Sequence, residues 1–536
     1  MRPDFFSRIS LKVLELQDRW RLFRITRQIS KKEFREKGKK TVLFFNASTR
    51  IHNISLNAAY AQLAAWGLRL SGINVSNFVC QAGMSRCVLG TDPDDPMKPP
   101  PCASCIAQSK RLYEGGDIHW FRSQENSRIR YAMEGLRLDK LIAFNFEGLP
   151  LGEFAVHSLR WVLRRNDLMD DEPTRFLMRH FILSGYHVGE EFSKVLEQVN
   201  PSVVVVFNGM MFPEAVARRI AMEQGFPVVT HEVSFQPLGG FFTIGEATAY
   251  PIEIPDAFEM DERQNARLDA YLEERFQGKF SMAGINFWPE IRGLDEDLLA
   301  KIDAHEQVVP VFTNVIFDTS QPHANSVFDH MFSWLDHVLE VIRNHPETLF
   351  VIRAHPDEMR PGTRKQARQN VRQWIDKNKA LDLENVVFIG SQEYISSYEL
   401  VQRAKFVMVY NSSIGLEATL LGTPVLIGGR ARYTQYPTVF FPKTPHAYQE
   451  QAEKFLAADK IEIPKDFQRN ARRFMYYQLF RTSLPFDSFI ETHRRGGYVR
   501  FKPFSVEQLL PENSPAIRVI RKGLLEDKTF LLEDEA

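Results

Sequence analysis

Four cysteines in one stretch, a histidine before a proline, a serine pair after an apolar run and an adjacent His–Glu pair are the residues of this 536-residue sequence placed to do chemistry. The cysteines lie in "CQAGMSRCVLGTDPDDPMKPPPCASC", residues 80–105, spaced C-x6-C, C-x14-C and C-x2-C. Four thiolates in one proline-rich loop suit a structural metal that staples it: a tetrahedral zinc site first, an iron–sulfur cluster second. The competing reading of Cys80, Cys87, Cys102 and Cys105 is four reduced thiols. A redox pair at Cys102 and Cys105 lacks a thioredoxin-like setting.

"FVIRAHPDE" (350–358) reads as a strand ending near Arg353, with His355-Pro356 opening the next turn. Proline suits the first helical position, because its missing N–H would be unpaired there anyway. His355 then stands at the strand's carboxyl edge with a ring nitrogen able to donate, and Arg353 adds charge. "VYNSSIGLEATLLGTPVLIGG" (409–429) reads as strand, turn, helix and strand. Its helix N-terminus, with Ser412 and Ser413, has the parts of a phosphate site, although a plain Asn or Ser cap explains the same residues. Glu417, about one turn on, could accept from ribose hydroxyls or face solvent. Thr313 and Asn314 end another strand of this half. "VVTHEVSFQPLGGFF" (228–242) carries His231 and Glu232 at a strand end, and Asn208, Gly209 and Met210 end another. A structural ion pair is the plain reading of His231 and Glu232.

The elements that must position these groups are short, β-branched-rich runs: 41–46, 141–146, 203–208, 227–232, 308–314, 348–354, 385–390, 406–411 and 424–429. Their continuous apolarity suits strands buried on both faces, and helix-length amphipathic stretches such as 212–224, 327–344 and 364–377 separate many of them. The class is therefore α/β. The pattern occurs twice, which predicts two doubly wound, Rossmann-like domains facing across a cleft, with ligands at the carboxyl ends of the strands. The expected division is a basic helical segment 1–40, a first domain 41–300 carrying the cysteine loop 80–105, a second domain 301–465, and a helical segment with a loosely held acidic tail, 466–536.

"RAHP" followed by "YNSSIGLEATLLGTPVLIGG" resembles glycosyltransferases of the GT-B type. The resemblance is to the capsule polysaccharide biosynthesis family, which includes bacterial transferases of 3-deoxy-manno-octulosonic acid. It is good over about 305–460 and weaker over 200–250. It implies that His355, Ser412 and Ser413 hold the phosphates of a nucleotide-activated sugar, such as a CMP- or UDP-sugar, and, by analogy with GT-B enzymes, that Glu417 binds ribose. Enzymes of this kind carry an acidic residue in a Glu-Asp-Gly-Phe-like loop; "HEVSF" departs from it. An inverting transfer to a saccharide acceptor needs a general base, for which Glu232 is the first candidate and His231 the second. The donor phosphates would need no divalent metal. Rival readings are a polyol-phosphate transferase, a nucleotide-sugar epimerase, or a non-catalytic scaffold stapled by metal at the cysteines.

Composition narrows the classes. Charged residues are 25%, apolar ones 44% and net formal charge is zero, so no global basic field points to nucleic acid. No apolar run approaches bilayer length and no signal pattern opens the chain, so a cytoplasmic protein is expected. Residues 1–40 hold thirteen Lys or Arg against five Asp or Glu. Trp20, Leu22, Phe23 and Ile25 interleave with the arginines. This segment suits a helix packed on the body of the protein somewhat better than one lying on the inner face of an anionic membrane.

Overall fold

The computed structural model describes residues 5–33, 40–47, 53–278, 281–282, 285–286, 292–360, 366–494 and 497–534, with side chains from Val13 onward, those of 281–282 and 285–286 excepted. Its two large sheets match the doubled pattern of apolar runs. The seven-stranded sheet runs, edge to edge, Leu484–Pro485, Gly239–Ile244, Val228–Val233, Val203–Phe207, Thr41–Asn46, Asn74–Cys80 and Asp117–Phe121. All its pairings are parallel except those made by Gly239–Ile244. The five-stranded sheet runs Val386–Ile389, Thr348–Arg353, Gln307–Phe312, Val407–Val409 and Val425–Ile427, and is wholly parallel.

Successive side chains of a strand point to opposite faces. Accordingly Val42 and Phe44 join one apolar cluster and Leu43 and Phe45 another, on the two sides of the first sheet. A further cluster joins the halves: Phe235, Phe241 and Ile252 pack with Ile414, Tyr433 and Phe474.

Several expectations are corrected. Residues 141–146 form no strand: helix Leu138–Ile142 ends inside the run, and Phe146 makes only an isolated bridge to Leu149. A four-residue apolar run serves a buried helical turn as well as a strand. Helix Glu262–Phe276, assigned to the first domain, buries Leu268 and Leu272 in the cluster that joins the halves. After helix Lys465–Tyr476 the chain returns to the first sheet, adding strand Leu484–Pro485 and packing helix Pro515–Leu525 against helix Leu56–Leu70. The acidic tail is docked. Phe530 is buried against Gly523, Leu532 donates to the Arg481 carbonyl, and Asp534 pairs with Arg481 at 2.7 Å.

Candidate active site

A cavity of about 370 Å³ lies at the carboxyl edge of the second sheet. Its walls come from both halves: Phe235, Glu246 and Thr248 from the first, and Asn314, Asp318, His323, His355, Ser412, Ser413, Arg430 and Arg432 from the second.

Strand Thr348–Arg353 delivers His355. Pro356 opens a 3-10 turn, and the His355 Nδ1 accepts the Asp357 N–H at 3.1 Å. With Nδ1 accepting, the neutral ring carries its proton on Nε2, which makes that atom a donor. Burial pulls the ring pKa down against the opposing pull of Asp357 and Asp318, so the donor is neutral.

Strand Val407–Val409 delivers the serines. Neither hydroxyl caps helix Ile414–Leu420, and no side-chain cap bond is made there. The helix spans seven residues, so little dipole stands behind the site, and its value as a phosphate site rests on the two hydroxyls in the cavity wall rather than on the dipole. Gly415 is required: a Cβ there would lie 2.3 Å from the Tyr433 hydroxyl, which holds the Ser412 carbonyl at 2.7 Å. Asn314 reaches the cavity and donates to the Asn411 side chain, tying two strand ends together.

Three expected site residues are placed elsewhere. Thr313 is buried and its hydroxyl donates to the Arg353 carbonyl at 3.0 Å, so it ties strands rather than lining the cavity. Arg353 is buried, donates to the Glu393 carbonyl and has its pKa pushed down to about 10 by burial. Glu417 lies inside the fold: Arg275 meets Oε1 at 2.7 Å and the Tyr398 hydroxyl donates to Oε2 at 2.6 Å. Its carboxylate is committed to holding helix Glu262–Phe276, not turned to a ribose.

The two base candidates also differ from expectation. His231 is 2% exposed, stacks on Phe242 at 5.1 Å, and burial drives its pKa down to about 3, so it is a core residue. Glu232 is not on the cavity wall. Its Oε1 accepts from Asn57 at 2.9 Å and from the Val233 N–H at 2.8 Å, and its Oε2 from Asn208 at 2.7 Å. Asn208 adopts a left-handed conformation (φ 61°), with its Oδ1 accepting the Met210 N–H at 3.0 Å.

Sequence reasoning missed Asp318, His323, Arg430 and Arg432. The arginines follow "PVLIGG" directly, at the same carboxyl edge, so the rule that found His355 would have found them. Arg432 lies 4.3 Å from the Phe235 ring centre and 4.2 Å from that of Tyr250, both from the first half. Its Nη1 is buried and makes no hydrogen bond among the described residues. The side chain lines the cavity, and burial lowers the guanidinium's pKa against the opposing pull of Tyr250 and Asp318. His323 meets Thr248 at 2.8 Å and lies 3.6 Å from Glu246, linking the two walls.

Residues 290–458 match the model of a family described as "Capsule polysaccharide biosynthesis protein". The resemblance stands over that stretch. It covers about a third of the chain and takes in His355, Ser412, Ser413, Asp318 and both cavity arginines. No curated protein matches the chain. Among solved structures, similarity is found to Thermosulfurimonas dismutans KpsC, beta Kdo 2,7 transferase (14% identity, 60% of this chain, 86% of that one, TM-score 0.34). The beta Kdo 2,4 transferase of the same protein gives 12%, 58%, 87% and 0.35. UDP-GlcNAc 2-epimerase from Neisseria meningitidis gives 13%, 81%, 94% and 0.25. Likenesses at these scores set no function.

Glu358, three residues past His355, is buried and accepts the Val371 N–H at 2.8 Å; burial pushes its carboxyl up to about 8. A carboxyl neutral in the fold but ionised in the unfolded chain removes stability as pH rises from its ordinary 4.5 towards 8. Buried His231 acts at the other end: below about 6.5 only the unfolded chain takes its proton, so stability falls as pH drops towards 3. Glu358→Gln is therefore expected to melt several degrees above wild type at pH 8 and to converge with it below pH 4.5. A pH-independent difference in Tm would contradict this.

Burial raises the Cys80 and Cys102 thiols and pushes Cys87 up to about 12.

Among the described residues, no helix is long and apolar enough to cross a membrane.

Proposed function

We propose that the chain is a GT-B-type glycosyltransferase of capsule-like polysaccharide synthesis, in which the two halves act as acceptor and donor domains. The observation that carries the reading is the cavity wall formed by the His355 donor, the Ser412 and Ser413 hydroxyls and the Arg432 guanidinium, within the stretch that matches the capsule family. These groups suit the two phosphates of a UDP-sugar or the one phosphate of a CMP-sugar, and supply charge neutralisation without a divalent ion.

Transfer would invert the anomeric carbon. Asp318, on the cavity wall, takes the proton of an acceptor hydroxyl; the oxygen attacks the anomeric carbon as its bond to the phosphate oxygen breaks. His355, the serines and Arg432 hold the charge that arrives on the leaving phosphate. Asp318 takes this role in place of Glu232, whose two oxygens are already bound by three donors. A donor screen of CMP-, UDP- and GDP-sugars with EDTA present, followed by product analysis, tests the reading. Transfer from one donor is expected; no transfer and no nucleotide binding would sink it.

The N-terminal helix would seat the enzyme on the cytoplasmic face of an anionic membrane. Helix Phe5–Lys32 buries Leu22, Ile25 and Ile29 against the body. Its opposite stripe, Val13, Leu16, Trp20 and Phe23, is exposed, Trp20 by 61% and Leu16 by 63%, with the Arg24 guanidinium over the Trp20 ring. Apolar residues at helical spacing rimmed by arginine suit a lipid interface. The protein is expected to sediment with phosphatidylglycerol vesicles and not with phosphatidylcholine ones. A Trp20→Ser, Phe23→Ser double variant that sediments as well as wild type would refute this.

A further inference from the structure

The cysteine loop plays no part in the transfer proposed above, and its arrangement has its own chemistry. Cys80 ends strand Asn74–Cys80, Cys87 lies in the loop, and Cys102 and Cys105 sit in the first turn of helix Cys102–Leu112. All four line one cavity of about 30 Å³, whose other walls are mainly apolar, among them Met84, Val88 and Ile106. No two of them are joined in a disulfide. Two backbone amides are spent on sulfur: Gly83 N–H donates to the Cys80 Sγ at 3.2 Å and Gly90 N–H to the Cys87 Sγ at 3.3 Å.

Glycine is needed at both positions. A Cβ at Gly83 would lie 2.1 Å from the Phe121 ring, and one at Gly90 would lie 2.8 Å from Pro100 and 3.0 Å from the Cys87 Sγ. The chain is thus folded back tightly enough to bring Cys87 beside the Cys102 turn. Arg86 fixes the fold of the loop by donating to the Pro96 and Met97 carbonyls at 2.9 and 2.6 Å.

The choice between one ion and a cluster turns on how the four side chains are grouped. Among the described residues, no three His, Cys, Asp or Glu side chains are grouped so as to hold one ion. A single tetrahedral zinc needs its four thiolates drawn onto one point. A cubane cluster does not: each thiolate binds a different iron, so the sulfurs surround a body. The apolar walls of the cavity and the N–H donors to sulfur suit a buried cluster.

We propose that Cys80, Cys87, Cys102 and Cys105 hold a [4Fe–4S] cluster, one thiolate per iron, that staples loop 81–101 in place. The four thiols release four protons on binding, and the role is structural, with no electron transfer in the reaction. The loop matters to the whole molecule because its tip touches the second half: Arg368 donates to the Pro93 carbonyl at 3.1 Å and forms an ion pair with Asp94. Stapling the loop fixes that contact between the halves.

The test uses the full chain purified without oxygen. About four irons and four acid-labile sulfides per chain are expected, with a brown thiolate-to-iron absorption band and an electron paramagnetic resonance signal on dithionite reduction. Stoichiometric zinc without iron, or no iron uptake even after anaerobic reconstitution with ferrous ion and sulfide, would overturn the proposal. Because cysteine variants can fail to fold, the staple is read on wild type: removing the cluster with ferricyanide and EDTA should raise proteolytic cleavage within 81–101 by about tenfold or more. Unchanged cleavage would overturn the stapling role.

Discussion

His355→Asn should lower turnover by about two to three orders of magnitude, the usual loss when one preorganised donor to a developing anion is removed. Asparagine is chosen because it is among the best N-cap residues and can still accept the Asp357 N–H that the His355 Nδ1 accepts now. The cap and the turn after strand Thr348–Arg353 are then kept, and only the Nε2 donor is lost. His355→Ala removes both, and would add a stability loss of about 1 kcal/mol that blurs the result. Turnover, Tm and nucleotide binding should be measured together: a low rate, an unchanged Tm and weakened binding are expected. Near-wild-type turnover would remove His355 from the site.

Asp318→Asn is expected to lower turnover by about two to four orders of magnitude while leaving nucleotide affinity nearly unchanged, because a base acts on the acceptor. Asp318 accepts from the Ser320 hydroxyl at 2.6 Å, and asparagine can still accept there through its carbonyl oxygen. Glu232→Gln separates the two carboxylates. Glu232 accepts from Asn57, Asn208 and the Val233 N–H, so an amide at Glu232 would set a donor against a donor. The change is expected to lower Tm more than it lowers the rate of the surviving fold. A Glu232→Gln protein that keeps its Tm and loses its rate, beside an active Asp318→Asn, would return the base to Glu232.

The parallel strands of both halves were legible because their β-branched runs are buried on both faces and read as unbroken apolarity. Strands Asn74–Cys80 and Asp117–Phe121 were not, because polar residues interrupt them. In the fold those residues satisfy each other: the Ser76 hydroxyl donates to the Asp117 carboxylate at 2.5 Å and the Asn77 amide to the Asp117 carbonyl at 3.3 Å. Apolarity alone cannot register a strand that carries its own polar partners. The site followed the same logic. Residues at strand ends, His355, Asn314, Ser412 and Ser413, reach the cavity because parallel strands bring their carboxyl ends to one edge. Glu417 was misplaced because its position in the helix sets its height but not its side. What decides the side is Arg275, 142 residues away, and no local pattern carries that. The four cysteines are near one another in sequence and line one cavity in the fold, where Gly83 and Gly90 turn the loop.

The central claim is that the cavity between the halves binds the phosphate end of a nucleotide through His355, Ser412, Ser413 and Arg432. Its most direct test is the melting temperature of the full chain with CMP, CDP, UDP or GDP in EDTA, beside the same series for His355→Asn. At a nucleotide concentration about one hundred times its Kd, binding should stabilise the protein by about 2.7 kcal/mol, a shift of a few degrees that the variant largely loses. No shift with any nucleotide, or an equal shift in wild type and variant, would contradict it.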